Sequence, residues 1–179
     1  MKTLVIVGNG RTRTSAPHDD LSREIWTMNN HAMLWNRRTT RVFEMHPDAL
    51  HAKRYGDDYK EWLRQKHPFP ITMHEAHEEI PNSVRFPREE ISQVFGKHLY
   101  KGTKAVRNYY TSTFPYTLAL ALHEGYKRIE LYGVELDKKE EYVDHRDSVF
   151  FWIGKATAVG VDIFIDEKCV LYDETVYPF

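Results

Sequence analysis

The sequence predicts an alternating α/β domain on an open, mostly parallel sheet of about five to six strands, with helices on both faces. The main evidence is Thr111–Leu136, which begins as a polar turn, continues as an apolar helix that a glycine ends, and finishes as a buried strand. A helix between such turns is typical of the crossover between parallel strands. The apolar run Leu4–Val7 lacks polar alternation, as expected for a strand buried on both faces.

The other elements alternate in the same way along the chain. Strands are predicted at Leu4–Val7, within the ambiguous segment Ser22–Asn30, and at Thr40–Met45, Arg128–Tyr132 and Val161–Ile165, with an extended piece over 68–73. Helices are predicted at Asp57–Lys66, near Glu89–Phe95 within an otherwise irregular 74–104, and at Thr113–Glu124 and Val149–Val159. Strand-end loops are expected at 8–15, 27–31, 45–48 and 133–146. This order is Rossmann-like, and residues 1–179 are predicted to form one nucleotide-binding domain.

Composition narrows the class of protein. The 41% hydrophobic content fits one soluble domain with a substantial core, and the net charge of −1 does not indicate nucleic-acid binding. A lone cysteine, Cys169, favours a reducing compartment, and we expect the cytoplasm, or the host cytoplasm for a phage-encoded chain. No apolar run approaches the roughly 20 residues that span a membrane. The aromatic content of 13% is compatible with a homo-oligomer.

A glycine loop follows the first strand. Gly8, Asn9 and Gly10 precede a hydroxyl-rich run that contains Arg11, Arg13 and Ser15. Glycines allow a phosphate or ribose to approach the backbone, and the arginines can pair with phosphate oxygens. The third glycine of a dinucleotide motif is missing. The lysine of a Walker loop is missing too, which argues against an ATPase of that type. The alternative is a tight turn that binds no ligand.

Motifs over most of the chain resemble those of bacterial sialyltransferases of glycosyltransferase family 42. The matching segments are Ile6-Val7-Gly8-Asn9-Gly10, Asn29-Asn30, Met45-His46-Pro47, Thr111-Ser112, Gly125-Tyr126-Lys127-Arg128-Ile129 and Gly133-Val134-Glu135. The family has Asn-Gln, Tyr-Asn-Pro and Gly-Ile-Asp at the second, third and last of these, so His46 replaces an asparagine. The chain is shorter than those enzymes and lacks most of their lid-like insertion. It resembles more loosely the 6-hydroxymethylpterin pyrophosphokinase-like proteins and small phage-encoded proteins.

The resemblance implies a nucleotide sugar, CMP-linked, as the donor, with no metal or other cofactor required. It implies nucleotide contacts by Asn9, by Asn29 or Asn30, by His46 and by Ser112. Tyr142 lies near the position of a tyrosine that binds the leaving phosphate, and His145 near that of the catalytic base. The further candidates by position are Arg107, Thr111, Gly133 and Glu135, which are expected at the same crevice.

Residue chemistry also points to His145. It is predicted to lie in a charged loop after a strand, where an imidazole can take a proton from an acceptor hydroxyl. The neighbouring Arg146 can neutralise phosphate in place of a metal. The alternative is a solvated loop without a catalytic member. His74 and His77 are three residues apart, not four as in a zinc-protease helix, and no metal site is predicted from them.

These observations favour a sugar-nucleotide-binding transferase that transfers a glycosyl group with a histidine as general base. Three alternatives remain, of which a pterin pyrophosphokinase is disfavoured because that chemistry normally needs Mg²⁺ bound by carboxylates and the sequence shows no obvious acidic cluster. One of the other two is a module that binds or sequesters a nucleotide without chemistry. The other is a phage-derived structural protein that has kept the fold and lost the site. In the last case side chains such as Trp26 or Tyr109 would fill the pocket.

Overall fold

The computed structural model describes the backbone of every residue except Met1, Asp48, 51–54, 97–99, 106–108, 137–139 and 172–179. The side chains of 100, 101, 105 and 140–144 are not described either. The candidate Arg107 therefore lies outside the described residues, and for Tyr142 only the backbone is described.

Strands and helices alternate along most of the described chain. Strands β1 to β9 span Thr3–Val7, Glu24–Met28, Arg41–Phe43, Ile71–Met73, Ser83–Arg85, Tyr100–Lys101, Lys104–Ala105, Arg128–Tyr132 and Asp162–Ile165. Helices α1 to α5 span His31–Trp35, Gly56–Arg64, Arg88–Phe95, Thr113–His123 and Glu140–Ala158. A short 3-10 helix, Arg11–Ser15, directly follows the first glycine loop.

The main sheet is parallel throughout and confirms the predicted Rossmann-like fold. In the described chain it has seven strands in the order β5-β4-β3-β2-β1-β8-β9, slightly more than predicted. β6 and β7 form a separate antiparallel pair. The chain builds outward from β1 on one side and later returns to add β8 and β9 on the other. The strand order thus reverses between β1 and β8, where open α/β sheets form a ligand crevice.

Helix α4 is the central element of the core. Every residue from Thr113 to Leu122 is buried, which explains why its sequence is apolar all round rather than on one face. Pro115 is tolerated because it lies in the first turn, where no intrahelical donor is lost. The helix ends at the left-handed Gly125 (φ 78°), as predicted. Its amino end lies beside the residue that follows β2, since the Thr113 hydroxyl donates to Oδ1 of Asn29.

The sequence did not predict β5, β6, β7, α1 or the 3-10 helix. Strand β5 lies at an edge of the sheet, and Val84, its one apolar residue, is 39% exposed. The sequence therefore has no apolar run there to indicate a strand. Helix α1 has only five residues, too few to show a helical period.

The predicted loop over 133–146 is wrong in its second half. Helix α5 begins at Glu140, so His145 and Arg146 lie on a helix. The stretch 140–147 lacks apolar periodicity, but its glutamates suit a first helical turn, where negative charge complements the helix dipole. The apolar period detected from Val149 onward marks only the part of α5 that packs on the core.

Candidate functional site

A cleft of about 730 Å³ opens at the carboxyl ends of β1, β2, β3 and β8 and at the start of α4. It lies at the point where the strand order reverses. Many of the candidate residues line it together: Gly8, Asn9, Gly10, Arg11, Asn29, His46, Thr111, Ser112, Gly133, Glu135 and His145. The sheet therefore brings separate sequence motifs to one concave surface.

The glycines of the first loop allow the ends of β1 and β8 to touch. A Cβ atom on Gly8 would lie 2.2 Å from the Gly133 carbonyl oxygen, and one on Gly10 would lie 1.4 Å from Oε2 of Glu135. The amide of Gly10 donates to the Gly133 carbonyl over 2.8 Å. Gly133 is itself left-handed, with φ of 65°. These glycines are thus required by the contact between two strand ends, whether or not a ligand approaches.

Glu135 and Thr12 complete this contact. The backbone N–H of Thr12 donates to Oε1 of Glu135 over 2.6 Å, and Gly133 N–H donates to the Thr12 hydroxyl over 2.7 Å. The amides of Gly10 and Thr12 are therefore already engaged within the protein. The loop does not present these two N–H groups to an anion, in contrast to the phosphate loop expected from the sequence. Oε2 of Glu135 is buried and has no hydrogen-bond partner among the described residues.

Asn9 is held in place by two side chains. His31 Nδ1 donates to the Asn9 side-chain oxygen over 3.1 Å, and the Asn9 amide nitrogen donates to Oδ1 of Asn30 over 3.3 Å. His31 is 1% exposed, and its burial, with the nearby charges of His18 and Arg13, lowers its pKa from 6.5 to about 4. A neutral imidazole thus supports Asn9 from below the cleft.

A strained asparagine directly follows the second strand. Asn29 adopts a left-handed backbone with φ of 55°, a conformation that asparagine accepts more readily than most residues. Its Oδ1 accepts a hydrogen bond from the Thr113 hydroxyl over 3.3 Å. The end of β2 is thereby joined to the first turn of α4.

Ser112 occupies the position before α4 but does not cap the helix. A serine there ordinarily accepts a hydrogen bond from an amide of the first turn, and no such bond is present. Its Oγ is buried and has no partner among the described residues, and the residue lines the cleft. Buried hydroxyls are nearly always hydrogen-bonded, so an unpartnered one in a cleft wall marks a place for a ligand atom. The neighbouring Thr111 hydroxyl lies 2.5 Å from that of Ser148 on α5.

His46 is oriented by a buried carboxylate. Its Nδ1 lies 2.5 Å from Oε1 of Glu44, which is only 1% exposed and also accepts the His46 backbone N–H over 3.0 Å. The Tyr59 hydroxyl donates to the other oxygen of Glu44 over 2.8 Å. Burial, followed by the charge of Glu44, raises the pKa of Tyr59, so this hydroxyl stays protonated and donates. Sequence reasoning missed Glu44 because it reads as an ordinary strand residue.

His145 lies on the first half of α5 and lines the cleft from the β8 side. Its backbone carbonyl accepts a hydrogen bond from Ser148 over 3.2 Å. The neighbouring Arg146 does not line the cleft, and its guanidinium donates to the Leu171 carbonyl over 2.8 Å. The two adjacent candidates are therefore directed to different parts of the molecule.

Three further candidates lie outside the cleft lining. The Arg13 guanidinium donates to the backbone carbonyls of Asn9 and Gly10 and stacks over Trp35 with 4.1 Å between the guanidinium carbon and the ring centre. Arg13 thus stabilises the glycine loop through these hydrogen bonds and does not line the cleft. Ser15 is exposed at the end of the 3-10 helix, and Asn30 contacts Asn9.

Aromatic side chains that the sequence did not identify form one wall of the cleft. Tyr110 and Tyr116 flank the Thr111-Ser112 pair and stack on each other with ring centres 4.2 Å apart. Their placement on either side of a helix start was the available signal. Trp26 and Tyr109, the residues considered as pocket fillers, do not line the cleft. Trp26 packs in the core against Phe43.

Neither a metal cluster nor a membrane span is found in the described part of the chain. No group of three or more His, Cys, Asp or Glu residues there is placed to hold a metal ion. No helix within those residues combines the length and the apolar character that crossing a membrane requires.

Comparison with solved structures shows the same fold in sialyltransferases. The sialyltransferase CstII from Campylobacter jejuni in complex with the substrate analogue cytidine-5'-monophosphate superposes with a TM-score of 0.56 at 15% sequence identity, over 96% of this chain and 82% of that chain. Its complex with CMP-3FNeuAc gives 0.55 at 15% identity, over 92% and 80%. The complex of CST-II with a trisaccharide acceptor and CMP gives 0.53 at 15% identity, over the same shares.

No protein-family model matches the sequence, and no curated protein matches it at a significant level. At this identity the structural likeness shows a common fold and nothing finer. The likeness to pterin pyrophosphokinases and to phage proteins remains a prediction from sequence.

Proposed function

We propose that this protein is a transferase that binds a nucleotide sugar in the cleft and transfers the glycosyl group to an acceptor hydroxyl without a metal ion. The observation that carries the proposal is Ser112, whose buried hydroxyl forgoes the helix cap and lines the cleft without a partner among the described residues. Oε2 of Glu135 is a second buried polar atom of this kind. A ligand rich in hydroxyl groups would supply the missing hydrogen bonds.

The nucleotide contacts follow from the cleft lining. Asn9, Asn29 and Ser112 would hold the nucleotide. Of the two loop arginines, Arg11 lines the cleft and would meet a phosphate oxygen, because Arg13 donates to the loop carbonyls. Tyr142 is retained as a phosphate ligand from the sequence resemblance. The ligands in the neighbouring structures make a CMP-linked sugar the first donor to test.

The proposed reaction is a displacement at the anomeric carbon. The acceptor oxygen forms a bond to that carbon, and the bond between the carbon and the nucleotide phosphate oxygen breaks. The electron pair leaves with the nucleoside monophosphate, and the acceptor proton passes to a histidine nitrogen. His145, which lines the cleft, is assigned this role.

A second histidine suits the same role. His46 also lines the cleft, and Glu44 Oε1 lies 2.5 Å from its Nδ1. A carboxylate that fixes one ring nitrogen directs the other and stabilises the imidazolium formed on proton uptake. The comparison of His145→Ala with His46→Ala decides between them.

Calorimetric titration with CMP, UMP and AMP tests binding. We expect CMP to bind, and Ser112→Ala to weaken binding about tenfold, since a hydrogen bond is lost, without loss of stability. Ser22→Ala, an exposed serine outside the cleft, is the matched control and should bind as the parent does. Absence of heat with every nucleotide and with CMP-linked sugars would overturn the proposal.

Hydrolysis of a CMP-linked sugar tests the chemistry. His145→Ala should abolish hydrolysis while CMP still binds. Unchanged turnover in this variant, with loss in His46→Ala, would move the base to His46. Tight CMP binding without product in the parent protein would instead favour the non-catalytic module.

A further inference from the structure

A second cavity of about 420 Å³ adjoins the cleft at the carboxyl ends of β4 and β5 and the start of α3. Its walls include His74, Arg85, Phe86, Arg88 and Glu89, and we call it the Arg88 pocket. His46 lines both cavities. The two cavities therefore meet at His46.

Arg88 has no carboxylate within ion-pair distance among the described residues. Its Nη2 donates to the Tyr116 hydroxyl over 3.3 Å, and its buried Nε has no partner in that part of the chain. A partly buried guanidinium with an unused donor is costly unless an anion or acceptor binds it. The planar group is suited to pair with a carboxylate or a phosphate through two hydrogen bonds.

Among the charged residues of this pocket, Arg88 is the one placed to pair with a carboxylate or a phosphate. Arg85 is already paired with Glu89, with 2.8 Å between Nη1 and Oε2. The carboxylate of Glu75 is exposed at the rim, where water screens its charge. His74 packs edge-on against Tyr116, and burial together with the charge of Arg88 lowers its pKa, so its ring is neutral near pH 7. His46 is held by Glu44 and His77 is exposed, so neither competes with Arg88 as a fixed buried cation.

Tyr116 connects the two cavities. Its hydroxyl accepts from Arg88, and the residue lines the main cleft. Arg88 is thus hydrogen-bonded to a residue of the cleft wall.

We propose that the Arg88 pocket is an anion subsite, which binds a carboxylate or phosphate group carried by a sugar through the guanidinium of Arg88. Its description as the acceptor's subsite rests on the function proposed above, whereas anion binding does not. The acceptor class that fits is an acidic sugar. Its charged group would lie beside Arg88 and a hydroxyl would reach the cleft beside His46.

Titrations followed by NMR of the histidine and tyrosine side chains test this site. The probes are methyl glucuronide against methyl glucoside, which differ by a carboxylate, and glucose 6-phosphate for the phosphate case. We expect the charged sugars to shift the His74 and Tyr116 signals, and methyl glucoside to bind at least about tenfold more weakly. A stronger response to methyl glucuronide than to glucose 6-phosphate, or the reverse, identifies which group the site prefers.

Arg88→Gln and Arg64→Gln form the matched pair of variants, because Arg64 is an exposed arginine that pairs with Glu79 outside the lining of the pocket. Arg88→Gln should weaken binding of the charged sugars about tenfold or more, whereas Arg64→Gln should change it by less than about twofold. Equal losses in both variants, or equal binding of methyl glucuronide and methyl glucoside, would overturn the proposal. Should Arg88→Gln fail to fold, Arg88→Lys keeps the charge but not the two-point geometry and should still bind more weakly.

CMP titration of the same samples separates the two proposals. CMP binding should be unchanged in Arg88→Gln, because the main cleft retains its ligands. If the parent protein binds charged sugars at Arg88 but no nucleotide, the anion subsite stands and the transferase function fails. If it binds CMP but no charged sugar, the reverse holds.

Discussion

His31 makes folding stability depend on pH in a calculable way. Its ring is buried beneath the glycine loop, donates to Asn9, and stacks between His18 and Trp35. Burial is the largest reason that its pKa falls from 6.5 to about 4 in the folded state. In the unfolded chain the imidazole is hydrated and keeps its ordinary pKa.

The sign follows from which state binds the proton more tightly. Between pH 6.5 and 4 the unfolded chain takes up a proton that the folded chain refuses. The contribution of His31 to stability is therefore complete above pH 6.5 and is lost as the pH falls toward 4. The pKa difference corresponds to about 3 kcal/mol, most of which is lost by pH 4.5.

Urea unfolding of the parent and of His31→Gln, between pH 4.5 and 8, measures this term. Other groups contribute to both curves, so the relevant quantity is the difference in unfolding free energy between the two proteins. That difference should be largest at pH 8 and should shrink by about 2–3 kcal/mol at pH 4.5. His123→Gln, at an exposed histidine, is the control. Parallel curves for the parent and His31→Gln would show that His31 is not buried in its neutral form.

Two further changes test the packing of the site. Gly10→Ala should lower the free energy of unfolding by about 2 kcal/mol or more, because a Cβ there meets Glu135 and the Gly133 backbone. Gly154→Ala, on an open face of α5, should raise it by up to about 1 kcal/mol. Equal melting temperatures of the two variants would refute the close approach at Gly10. Tyr59→Phe should cost about 1–3 kcal/mol in urea unfolding because the buried Glu44 loses its donor; a loss below about 0.5 kcal/mol would mean that Glu44 is satisfied in another way.

Much of the fold could be predicted because its central elements carry local signals. β8 has the bounds that the sequence indicated, and α4 differs by one residue at its end, since α4 is buried from Thr113 to Leu122 and β8 from Ile129 to Tyr132. The edge strand β5 and the polar half of α5 carry no such signal. Their conformation depends on neighbours distant in sequence, such as β4 alongside β5.

The site was predictable in position more than in contacts. Strand ends in a parallel sheet meet at one edge, which places Asn9, Asn29 and Ser112 together. The direction of the side chains could not be predicted in the same way. Arg13, for example, lies on the 3-10 helix and donates to the carbonyl of Gly10 in its own loop. The role of Glu44 depends on its contacts with His46 and Tyr59. The Arg88 pocket is formed by the ends of β4 and β5 and the start of α3. The sequence does not show that these residues and elements lie together.

The place of β1 in the sheet also bears on synthesis. β1 ends at Val7, yet its neighbour β8 begins only at Arg128, and ribosomes add about 5–20 residues per second. For roughly ten seconds the nascent chain therefore holds an apolar central strand with one bare edge. Such an edge is a template for pairing between chains. Until β8 has been made and covers β1, this edge is therefore open to pairing with another chain.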